Sequence, residues 1–120
     1  MINKVMTSIK IQKILHFKLQ QRIISDGYGM RGKSKWIIEA IETFLQLPDY
    51  PALVDIADDM DHLAEIISIR LPETLMIRIE KAIIDVRRHY PAMEGVKSNV
   101  IRASIMQRLL REPATSVTED

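Results

Sequence analysis

Two nine-residue stretches, KSKWIIEAI (33–41) and KSNVIRASI (97–105), share a Lys-Ser pair followed by apolar residues at matching places, Trp36 with Val100, Ile37 with Ile101 and Ile41 with Ile105. An internal repeat constrains this 120-residue chain more than any single motif, because each copy is too small to enclose a core by itself. The residues leading into each stretch extend the likeness. In the second copy, EIISIRLP (65–72) alternates, with Ile67, Ile69 and Leu71 on one face and Ile66, Ser68 and Arg70 on the other. Period-2 alternation marks a half-buried strand. Pro72 ends that strand where a helix can begin, with Glu73 in its first turn. ETLMIRIEKAIIDVRRHY then carries Leu75, Ile79, Ala82 or Ile83 and Val86 at helical spacing. Pro91 and Gly95 interrupt the pattern, Ser98 or Asn99 offers a cap, and a second helix aligns Val100, Ile101, Ile105 and Leu109. The order is strand, helix, helix.

The first copy reads in the same order. KIQKILHFKL (10–19) places Ile11, Leu15, Phe17 and Leu19 on one face and Ile14, His16 and Lys18 on the other, which predicts a strand. A short helix around QQRIIS follows, then a glycine-rich turn. The helix beyond it carries Trp36, Ile37, Ala40, Ile41, Phe44 and Leu45 as its apolar stripe. A unit of about 45 residues with one strand needs a partner before it can form a core. If the two strands pair antiparallel, their inner faces close over four helices and their outer faces form a two-stranded ribbon. The expected fold is mainly α with a two-stranded antiparallel β-ribbon. Residues 9–47 make one unit, 48–64 an acidic connector that is a short amphipathic helix, 65–111 the second unit and 112–120 a flexible tail.

GYGMRGKS (27–34) fits the phosphate-loop pattern G-x-x-x-x-G-K-[ST]. That motif works only between a buried parallel strand and a helix, and this chain lacks the Val/Ile-rich runs of a parallel sheet. The second copy keeps only GVKS at the same place. The shared element is therefore a helix start, and no nucleotide cofactor is expected. Helix N-termini with orphan N–H groups still attract anions. Lys33, Ser34 and Lys35, with Lys97, Ser98 and Asn99 as their counterparts, are the candidate phosphate contacts.

Charge is segregated along the chain. Residues 1–47 carry eight Lys/Arg against three acids, residues 65–111 nine against five, and 48–64 holds five aspartates without a Lys or Arg. Basic blocks flanking an acidic connector point to a polyanion partner, and the connector is a candidate site for a protein partner. There is no cysteine, hence no thiolate site. His16, His62 and His89 have no partners at metal-ligand spacing, and DIADDMDHLAE lacks the glycine and glutamate of a calcium loop. No nucleophile–base set stands out, so neither enzyme activity nor a metal is expected. No apolar run reaches membrane-spanning length, and a cytoplasmic location is expected.

SIRLPETLMIRIEKAI resembles the opening of ribbon-helix-helix proteins, the family of the Arc, MetJ and CopG repressors. Two copies in tandem are similar to the TraY-type proteins of conjugative plasmids. The resemblance covers roughly residues 9–47 and 65–111. It implies two ribbon-helix-helix units forming a pseudodimer that binds double-stranded DNA in the major groove, with self-association on DNA as a further expectation. The base-reading positions it implies are Ile66, Ser68 and Arg70 in one strand and Ile14, His16 and Lys18 in the other. Its phosphate anchors fall at Lys33, Ser34, Lys97 and Ser98. The implied function is a sequence-specific regulator of plasmid or conjugation genes. An accessory protein at a transfer origin and an antitoxin-like interaction module are the alternatives.

Overall fold

Alternation at 65–72 does produce a strand, and it pairs with a strand that begins earlier than the sequence suggests. The computed structural model describes residues 3–29, 31–58 and 62–111. Along them run strand β1 (Lys4–Ile11), helices α1 (Lys13–Ser25), α2 (Lys33–Phe44) and α3 (Tyr50–Ala57), strand β2 (Glu65–Pro72), and helices α4 (Glu73–His89) and α5 (Val96–Leu110). The protein is thus mainly helical with one two-stranded antiparallel sheet. Residues 112–120, expected as a tail, and Asp59 and Asp61 of the connector lie outside the described residues.

The expected strand at 10–19 is corrected: the chain is extended from Lys4 to Ile11 and helical from Lys13. Leu15, Leu19 and Ile23 recur every four residues and are the buried face of α1, while Phe17 is 55% exposed. In β1 the alternation falls instead on Thr7, Ile9 and Ile11, all buried. The short helix placed around QQRIIS is the end of a 13-residue helix. The first strand therefore starts before residue 9.

Register fixes the geometry of everything that follows. Met6 pairs with Arg70, Ser8 with Ser68, and Lys10 with Ile66. Ser8 and Ser68 lie 60 residues apart, the same separation that aligns Lys10-Ile11 with Arg70-Leu71. A local two-fold axis consequently passes between Ser8 and Ser68, whose hydroxyl oxygens are 3.2 Å apart. Lys33 and Lys97, at the second helices, are 64 apart. The extra four residues are the difference between the 13 of α1 and the 17 of α4.

Ile9, Ile11, Ile67, Ile69 and Leu71 close the inner face of the sheet over Leu15 and Leu19 of α1, Trp36, Ile37 and Ile41 of α2, Leu75 and Ile79 of α4, and Ile101 and Ile105 of α5. α2 and α5 make the most extensive helix–helix contact. A second cluster joins Phe44, Val54, Ala57, Val86 and Val100, so α3 packs against α4 and α5. Charge at the ends of α4 follows the helix dipole, with Glu73 in the first turn and Arg87, Arg88 and His89 in the last. Among the described residues no helix is long and apolar enough to cross a membrane.

Candidate nucleic-acid interface

β-pleating sends alternate side chains to opposite faces, so burying the isoleucines of both strands forces the intervening residues outward. The outer face of the ribbon carries Met6, Ser8 and Lys10 from β1 and Ile66, Ser68 and Arg70 from β2, all exposed. The three β2 positions are where the sequence put them. The three first-strand positions are corrected: Ile14, His16 and Lys18 belong to α1 and do not reach the ribbon's outer face. Ile14 and Lys18 are exposed on the helix surface, and the half-buried His16 holds Glu65 through its Nδ1. Met6, Ser8 and Lys10 take their place. The signal that finds them is the match of Ile9-Lys10-Ile11 to Ile69-Arg70-Leu71, each ending one residue before a helix's flanking position.

The free edge of β2 is held from α2 and that of β1 from α5. An antiparallel strand alternates between residues that bond across the ladder and residues whose backbone groups point away. On the β2 edge the Arg70 N–H donates to Ser34 Oγ at 3.2 Å, so the start of α2 abuts β2. On the β1 edge the Lys10 carbonyl accepts from Arg102 Nη1 at 2.8 Å, so the N-terminal half of α5 abuts β1. Satisfied edges are less available for pairing with further strands.

The helix N-termini flanking the ribbon differ from the expected caps. α2 begins after Gly32 and α5 after Gly95, and neither has a side-chain cap. Ser34 and Ser98 therefore sit inside the first turns, half-buried beside the half-buried Lys33 and Lys97. Lys35 is exposed, its ammonium 5.9 Å from the Tyr28 ring centre. Asn99 is corrected as a phosphate contact. It is 1% exposed, and its amide donates to Asp58 Oδ1 at 2.7 Å and to the Glu94 carbonyl while its oxygen accepts from Arg102. Burial lowers the pKa of Arg102, and the Asp58 charge opposes that shift. A groove of about 400 Å³ lies along this edge, lined by Ser8, Lys10, Ile66, Gly95, Ser98 and Arg102.

The glycine-rich stretch 27–34 joins two helices, so it lacks the strand that a phosphate loop leaves. It is pinned from α5: the Arg108 guanidinium lies 4.4 Å from the Trp36 ring centre, donates to the Trp36 carbonyl at 2.7 Å and reaches Tyr28 Oη at 2.9 Å. Trp36 Nε1 donates to Asp26 at 2.9 Å. Among the described residues no group of His, Cys, Asp or Glu is arranged to hold a metal ion. Comparison with protein-family models, curated proteins and solved structures returns no match.

Proposed function

We propose that the protein binds double-stranded DNA in a sequence-dependent way, laying the outer face of the β1–β2 ribbon in the major groove. The observation that carries this reading is the pair Lys10 and Arg70. They stand at two-fold-related places on an exposed ribbon, and each edge of that ribbon abuts the N-terminal half of a helix whose first turn bears a lysine. A major groove about 12 Å wide admits a two-stranded ribbon, and base edges there distinguish all four base pairs. In this reading Arg70 grips a guanine, Lys10 makes the related contact in the other half, and Ser8 and Ser68 face the centre of the site. Lys33 and Lys97 take phosphates, helped by the helix N-termini. Met6 and Ile66 offer apolar surface to thymine methyl groups.

Regulation of mobile-element genes is the biological role we infer, with the tandem ribbon-helix-helix resemblance as its support. Service at a transfer origin uses the same chemistry, and genome-wide mapping of bound DNA separates the two by the position of the peaks. A protein contact is favoured by one observation, the exposed Ile14, Phe17 and Ile24 on α1. Selection of duplexes from a randomised pool tests the central claim. Enrichment of a common sequence supports base reading, and an unenriched pool with uniform binding rejects it.

A further inference from the structure

The two halves of the ribbon are held by different chemistry, and one of the two devices is buried and charged. Arg102 is 6% exposed, yet its guanidinium spans Lys10 of β1 and Asn99 of its own helix. Asn99 in turn is held by Asp58, an exposed residue just beyond α3. A continuous polar path thus runs from the acidic connector to the backbone of Lys10. Among the described residues nothing comparable serves the other half: 64 residues earlier, the places of Asn99 and Arg102 are taken by Lys35 and Ile38. There the N–H of Arg70 rests on the Ser34 hydroxyl. A neutral hydroxyl tolerates small shifts of its partner, whereas a buried guanidinium left without an acceptor carries a large desolvation cost.

We propose that Arg102 is a positioning residue for base recognition, which fixes the backbone of Lys10 and thereby sets what the β1 half of the ribbon reads. This inference rests on the DNA-reading function proposed above. Lys10 leaves the outer face of the strand with its Cα held by the Arg102 bond to its own carbonyl. A shift of that carbonyl moves the ammonium relative to the base edges, while Arg70, on the other strand and held from α2, stays in place. Ser34 is the lesser counterpart for Arg70.

The test begins with a duplex selected by the wild-type protein from a randomised pool, followed by single base-pair substitutions across the site. Lys10→Ala marks the half that β1 reads. Arg102→Met is expected to lose about tenfold discrimination in that half, the order of one good base contact. It should keep discrimination in the Arg70 half and keep affinity for scrambled duplex. Ser34→Ala should show a smaller loss of discrimination, confined to the Arg70 half. Equal loss in both halves, or no loss in either, overturns the proposal. Should Arg102→Met not fold, Asp58→Ala decides alone, because it removes an exposed acceptor at the far end of the same path. A smaller loss confined to the Lys10 half is expected, and unchanged discrimination overturns the idea. A wild-type protein that selects no sequence at all sinks the DNA-reading function itself, a result distinct from either failure.

Discussion

Arg70 and Lys10 hold related places on the ribbon, but their chemistry differs. A guanidinium offers a planar fork that matches two acceptors on guanine, whereas an ammonium is a point charge on a flexible stem. Arg70→Ala is therefore expected to cost about 1–3 kcal/mol of discrimination for the preferred duplex while leaving most affinity for scrambled DNA. Lys97→Ala should weaken all duplexes alike and reduce the salt dependence by about one unit of slope. Binding curves on preferred and scrambled duplexes at several salt concentrations check both. Equal weakening of the two duplexes by Arg70→Ala would mean that the ribbon does not read bases. Melting temperatures should be unchanged, since the Arg70 side chain is exposed and Lys97 lies outside both core clusters. A different residue is expected to make stability depend on alkaline pH. Burial, a hydrogen bond to Asp85 and the Asp85 charge push the Tyr50 hydroxyl up from 10.0 to about 12. A folded-state pKa raised above the unfolded value stabilises the protein below pH 10 and loses that contribution as pH climbs toward 12. Denaturant midpoints measured from pH 9 to 12 should fall more steeply for the wild type than for Tyr50→Phe, and parallel curves would exclude this residue as the cause.

Among the elements, β2, α2, α4 and α5 were legible because their patterns admit one period. Pro72 also marks the junction of β2 and α4, whereas the equivalent place between β1 and α1 is Gln12, which marks nothing. Leu15, Leu19 and Ile23 are spaced by four, and residues four apart share a face in both a helix and a strand. Phe17 tips such a pattern toward a strand, yet it lies on the outside of α1. The first strand forms because β2 offers it a partner across the ladder, a contact no local window contains. The apolar spacing of the acidic connector suggested a helix running toward Leu63, whereas α3 spans Tyr50–Ala57 and residues 62–64 are not helical. Less visible was the turn before α2. Gly32 lies so close to Tyr28 that a Cβ would sit 2.4 Å from the Tyr28 Cβ and 2.5 Å from its carbonyl oxygen. Gly32→Ala should destabilise the fold by about 1–3 kcal/mol, the usual cost of forcing atoms into a filled space. Chemical denaturation checks it, and an unchanged midpoint would show that the turn can open without penalty.

For the whole molecule, the core under the sheet is built from both strands and from helices of both halves. Each strand contributes one side of the ladder, and each second helix braces the opposite strand. Unfolding should be a single cooperative transition, with circular dichroism and tryptophan fluorescence giving coincident curves. Residues 1–50 expressed alone should be unfolded or should dimerise by pairing β1 with itself around Ser8. A stable folded monomer of that fragment, detected by sedimentation and circular dichroism, would refute this account. The axis through Ser8 and Ser68 carries one more consequence. A protein assembled from two identical chains spells the same word from either end, and can lie on DNA facing left or right. Here the two sides are spelled differently within a single chain, with Lys10 and Arg102 on one and Arg70 and Ser34 on the other. Such a molecule has a front and a back, and a bound copy would point along the duplex like an arrow.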